Sequence, residues 1–77
     1  MISTALCDLE TGEGGIIIDH ASHDRSGARL AELGLAIGES VHVMHRGSPM
    51  LLKVGESRLC VRTDEAQHIV VLHARSL

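Results

Sequence analysis

Six histidines, ten carboxylates and two cysteines are spread over 77 residues, and their spacing limits the chemistry open to them. The tightest constellation is His20, His23 and Asp24, in "IIIDHASHDRSG". Two imidazoles and a carboxylate where a strand runs into a helix form an N/O donor set suited to Fe²⁺, Zn²⁺ or Mn²⁺. Three donors are too few for a closed structural zinc site. The expectation is therefore a candidate divalent-metal site (metal: His20, His23, Asp24) in a protein that requires no cofactor to fold. His42 and His45 are three apart on a strand and are expected on opposite faces, as are His68 and His73. The plain alternative is that all six histidines are surface or edge residues.

Nucleophilic catalysis would need a cysteine and a histidine brought together. Cys60 lies within the alternating run "RLCVR", which reads as a small core or sheet residue, and Cys7 lies near the beginning of the sequence. The two form no CxxC, and a disulfide between them is left open. "GEGG" is no phosphate loop, because no G-K-[ST] follows and the next residues read as a strand. No catalytic residue is assigned, and the chain is expected not to be an enzyme.

Composition excludes further classes. Phe, Tyr and Trp are all absent, so neither an aromatic groove for proline-rich peptides nor a base-stacking platform for single-stranded nucleic acid can be built. A net charge of −3 with neutral histidines argues against a surface that tracks phosphates, so no direct nucleic-acid partner is expected. Protonating all six histidines would reverse the charge to +3, so charge arguments depend on pH near the free imidazole value of about 6.5. The first fifteen residues lack a basic region followed by an apolar one, and no apolar run is long enough to span a bilayer. A cytoplasmic protein is expected, reaching a membrane only through a partner.

The elements that must position these groups are short, and residues 1–77 read as a single domain. "GIIIDH" is a β-branched strand after a glycine turn. "SHDRSGARLAELG" reads as a helix with Ser22 as N-cap and Leu30 and Leu33 facing inward. Gly34 falls at the C′ position of a Schellman motif, followed by Leu35. Gly38 in "AIGE" occupies a turn position that requires positive φ. "SVHVMHR", "MLLKV", "RLCVRT" and "HIVVLHA" supply four more strands, with a single helical turn at "DEA". Five short strands without βαβ alternation indicate a small antiparallel barrel, with one helix inserted after the first strand.

These residues resemble the FeoA family, ferrous iron transport protein A. The likeness rests on Gly12–Gly15 with Ile17, on Arg29-Leu30-Ala31-Glu32-Leu33-Gly34-Leu35, and on Gly38 with Val41 and Val43. It continues through Leu59-Cys60-Val61-Arg62, Ala66, and Ile69 with Val71. Two positions depart from the pattern: Ile37 stands where proline is usual before the turn glycine, and Cys60 where alanine is usual. The resemblance implies an SH3-like barrel and a non-enzymatic cytosolic accessory role in bacterial ferrous iron transport. It also implies a partner, the FeoB-type membrane permease with a cytosolic GTPase portion. Similar SH3-like domains form the C-terminal part of metal-dependent repressors of the diphtheria toxin repressor type, so a freestanding regulatory module is one alternative. A metal carrier or sensor for Fe, Zn or Mn is another.

A domain that performs no reaction acts by contact. The candidate partner-binding residues are Arg25, Arg29 and Glu32 on the outer helix face and Arg58 and Arg62 on a strand, with Met44 and Met50 as adaptable apolar groups. Weak self-association is an open expectation. Gly34 and Gly38 are assigned a structural role.

Overall fold

Alternating apolar and polar residues become strands where only one face is buried. The computed structural model describes residues 2–20 and 31–73. In it, β1 (Ile2–Ala5), β2 (Gly14–His20), β3 (Ser40–His45), β4 (Met50–Val54), β5 (Ser57–Val61) and β6 (Ile69–His73) form one antiparallel sheet. Their order in space is β1-β6-β2-β3-β4-β5. A 3₁₀ turn at Leu6–Asp8 follows β1, and a one-turn helix at Thr63–Ala66 precedes β6. The architecture is the mainly β, SH3-like one expected, with the barrel left open between β1 and β5.

The sheet has six strands where five are expected. The additional one is β1, whose exposed Ile2 and Ser3 carry no buried-face signature. Pairing with the far end of the chain makes it a strand, in the register Ile2↔His73 to Ala5↔Val70. The expected helix therefore follows the second strand. Its residues 22–30 lie outside the described residues, while Ala31 and Glu32 have helical backbone.

Five of the six strands send residues into one aliphatic core: Ile17 from β2, Val41 and Val43 from β3, Met50, Leu52 and Val54 from β4, Val61 from β5, and Ile69 and Val71 from β6. Leu6, Leu9, Leu35 and Ala66 close it from the connections. Fully burying one such Leu, Ile, Val or Met side chain stabilises by about 1.5–3 kcal/mol. Met50 is thus a core residue and not an adaptable contact, since its side chain is only 1% exposed. Leu33, expected to face inward, is 48% exposed. Leu35, just past the helix end, takes the buried place instead.

The corner between helix and sheet is built as its glycines require. Gly34 has φ +104° and Gly38 has φ +95°, a region that resists a Cβ by about 1–2 kcal/mol. The Gly34 N–H donates to the Ala31 carbonyl at 3.1 Å, the 5→2 bond of a Schellman cap. Residues Ala36 to Glu39 form a turn closed by Glu39 N–H to Ala36 O at 3.1 Å. Gly38 occupies the third position, so the turn is type II. The turn is then tied to β2 from both directions: Gly38 N–H donates to Ile17 O at 2.7 Å, and Ile17 N–H donates to Glu39 O at 2.9 Å.

Ile37 occupies the second position of that turn, where proline's fixed φ is already correct. Its side chain is 62% exposed, so replacement removes little packing. Ile37→Pro is expected to raise the melting temperature by about 2–6 °C through the unfolded state. Gly38→Ala is expected to lower it by about 4–10 °C. Thermal unfolding followed by circular dichroism checks both.

Candidate functional site

Two β-bulges decide which way the histidines point. On β2, register with β6 runs Ile17↔Val71 and then Asp19↔Val70 and His20↔Ile69, with a shift between Ile17 and Asp19. The extra residue puts Asp19 opposite outward Val70 and His20 opposite buried Ile69. Without the bulge, His20 would face solvent. Turned inward, its Nε2 donates to the Leu35 carbonyl at 2.6 Å. The first of the predicted metal ligands thus fastens the end of β2 to the corner, leaving Nδ1 as its remaining ring donor atom. His23 and Asp24 lie outside the described residues. Among the described residues, no group of three or more His, Cys, Asp or Glu side chains is arranged to hold a metal ion.

The second bulge lies between Val43 and His45 on β3. It corrects the expectation that His42 and His45 face opposite sides. His42 pairs with Lys53 and His45 with Leu51, two residues apart on β4 and therefore on one face. Both histidines are exposed on the outer side of the sheet.

His73 departs from the surface reading altogether. At 6% exposure it is the buried polar residue among those described. Its Nδ1 donates to the Gly14 carbonyl at 2.6 Å, and its Nε2 lies 3.0 Å from Glu13 Oε2. His73 and Gly14 stand at opposite ends of the sequence, so this bond fastens the close of β6 to the start of β2. Its signal in the sequence is its place in "IVVLH", where the inward alternation of Ile69 and Val71 reaches residue 73.

Among the described residues, neither cysteine is hydrogen-bonded to a histidine. Both are free thiols: Cys7 partly buried in the 3₁₀ turn and Cys60 exposed. Cys60 sits on the outer face of β5 between inward Leu59 and Val61, a sheet residue outside the core.

The predicted contact residues Glu32, Arg58 and Arg62 are all exposed, whereas Arg25 and Arg29 lie outside the described residues. Arg62 Nε lies 3.5 Å from Asp64 Oδ1, an exposed pair of little energetic weight. It borders an open cleft of about 350 Å³ lined by Ser48, Pro49, Arg62, Thr63 and Asp64. Arg46 bonds Glu10 at 2.8 Å, and its backbone N–H donates to Thr11 Oγ1 at 3.0 Å. Lys53 and Arg58, directly opposite each other on β4 and β5, have no acidic partner among the described residues. Sequence reading found Arg58 and Arg62 but missed Lys53 and His42, because only the register of three strands brings them together.

The two thiols should differ in reactivity. Burial pushes the Cys7 thiol up, and the adjacent Asp8 carboxylate adds to the rise. Less thiolate is then present at neutral pH. Alkylation by iodoacetamide at pH 7.5, followed by mass spectrometry, should modify Cys60 first and Cys7 at least several-fold more slowly. The Cys7 rate should still be climbing above the pH at which an ordinary thiol has levelled off.

A family model described as the FeoA domain matches residues 4–73. A crystal structure of an iron uptake regulatory protein, FeoA, superposes with a TM-score of 0.89 at 20% identity, covering 96% of this chain and 100% of that one. FeoA from Stenotrophomonas maltophilia is 32% identical with a TM-score of 0.73, and 88% of each chain is covered. That protein is described as a procaryotic SH3 domain protein complexed with zinc, and as a candidate ferrous iron transport activating factor. A manganese-dependent transcriptional repressor superposes at 0.84 with 16% identity, over 94% of this chain and 42% of its own; it shares the fold alone. Among curated proteins none matches. With the family model matched across residues 4–73, the chain belongs to the FeoA family, which is linked to ferrous iron transport.

Proposed function

We propose that this protein is a non-enzymatic accessory factor of bacterial ferrous iron uptake. It works in the cytoplasm by docking on the cytosolic GTPase portion of an FeoB-type permease. The observation that carries the reading is the family match across residues 4–73. The use made of the polar side chains supports it. The imidazoles of His20 and His73 are engaged with backbone carbonyls, while the basic side chains of β4 and β5 are exposed. Such a domain acts by binding one conformation of its partner better than another, because equal affinity for both would shift nothing.

The purified chain should retain the isolated GTPase domain in at least one of three states: nucleotide-free, GDP-bound or bound to a non-hydrolysable GTP analogue. Arg29→Glu and Arg62→Glu together should weaken retention about tenfold, the size expected for reversing rim charges. No interaction in any nucleotide state would sink the proposal.

Metal handling is a second reading, favoured by the zinc complex of the Stenotrophomonas maltophilia relative. His20, His23 and Asp24 remain its candidate ligands, with Fe²⁺ or Zn²⁺ as the metal. Anaerobic calorimetric titration should show binding that His23→Ala removes. A flat titration at micromolar metal would dismiss it.

A further inference from the structure

The register of β3, β4 and β5 lines up three nitrogen-bearing side chains in one row across the outer face. His42 stands opposite Lys53 and Lys53 opposite Arg58, and all three are exposed. On β2, the residue opposite His42 is Gly14, with no side chain to add. The row lies in a chain of net charge −3, yet neither Lys53 nor Arg58 is ion-paired among the described residues. Glu56, in the turn between their strands, makes no ion pair with either. Like charges directly opposite on neighbouring strands oppose folding.

Protection of a sheet edge explains Arg58 on the outermost strand. It does not explain Lys53, which sits on an interior strand. Nor does it explain why the facing position on β5 is a second cation, where a glutamate would stabilise the pair. The row spans about 10 Å, two interstrand spacings. Alternate carboxylates of an extended peptide, about 6.8 Å apart, can reach it two at a time. Beside it, His45, Leu51 and Cys60 form a second outward row carrying no charged carboxylate or ammonium group.

We propose that the outer face of β3–β5 is a docking surface for an acidic, extended segment of a partner protein, whose carboxylates sit on the His42–Lys53–Arg58 row. Nucleic acid is the poorer fit, because the chain has no Phe, Tyr or Trp to stack a base and the row covers only a few phosphates' length. The inference rests on the docking reading above and gives that partner a chemistry.

The probe is the capped octapeptide (Thr-Glu)₄, with (Thr-Gln)₄ as its uncharged counterpart, titrated into the ¹⁵N-labelled full chain at 50 mM salt. Shifts are expected along β3–β5 with the glutamate peptide. They should shrink as salt is raised, and the peptide should slow Cys60 alkylation at least threefold. Lys53→Glu should weaken binding tenfold or more and, by placing opposite charges across β4 and β5, raise the melting temperature by about 1–4 °C. Loss of binding together with gain of stability separates a binding role from a structural one.

Equal binding of the glutamine peptide, undiminished binding by Lys53→Glu, or a lower melting temperature in that variant would each overturn the proposal. So would tighter binding of oligo(dT) or of phosphatidylserine vesicles than of the glutamate peptide. If the GTPase domain binds R58E as well as the unaltered chain, this surface is wrong and the docking reading stands. If the glutamate peptide binds and the GTPase domain does not, the surface stands and that reading fails.

Discussion

The backbone of Ile17 is where this small sheet is held in register. Its carbonyl accepts from Gly38 and its N–H donates to Glu39, while its side chain is fully buried and pairs with Val71 across β2 and β6. One residue thus fixes the helix-to-sheet corner against the middle of the sheet. Because the corner feeds directly into β3, its position sets Gly15 opposite Val41 and Gly14 opposite His42. A one-residue slip there would exchange the two faces of β3 and turn Val41 and Val43 to solvent. The chain has no Phe, Tyr or Trp with which to rebuild a core from the other side. The aliphatic composition makes the register obligatory, and the glycine turn makes it attainable.

The two bulges use that fixed register in opposite ways. On β2 the extra residue turns His20 inward, where it bonds the Leu35 carbonyl. On β3 the extra residue turns His45 outward to join His42. Chemically identical side chains therefore serve different ends because the local strand count differs by one. His73 completes the inner set by bonding Gly14. The two imidazoles used inside lie at the His20 end and the Gly14 end of β2, so the central strand is fastened at both.

What the amino-acid sequence revealed follows from how local each signal is. The alternation in Val41–Val43, Met50–Leu52–Val54 and Ile69–Val71 is visible within a few residues, because burial of one face imposes period two. Gly34 and Gly38 were legible for the same reason, since a positive φ leaves a glycine behind. β1 was not legible, because Ile2 and Ser3 are exposed and its pairing lies at the opposite end of the chain. Bulges are not legible from one strand, since each is defined by its partner's count. The relative orientation of His42 and His45 and the Lys53–Arg58 apposition were therefore beyond local reading, whereas the burial of His73 continues the local alternation of Ile69 and Val71. The predicted metal ligands rested on spacing alone; of them, His20 is bonded to the Leu35 carbonyl, and His23 and Asp24 lie outside the described residues.

The inner and outer faces of β3–β5 obey different rules, and the contrast bears on function. Inside, every contact is one that stability favours: Val41, Val43, Leu52 and Val61 are closed off from water. Outside, Lys53 and Arg58 are set in an arrangement that stability disfavours. Exposed positions are the easiest to change without harm to a fold, so a repulsive pair there is not imposed by packing. Four of the chain's seven basic residues lie among the described residues, and the two that face each other are the two left without a carboxylate. A surface of this kind gains free energy when a complementary charge arrives. On the docking reading proposed above, the conformation of a partner that presents such a charge is the one this face would favour.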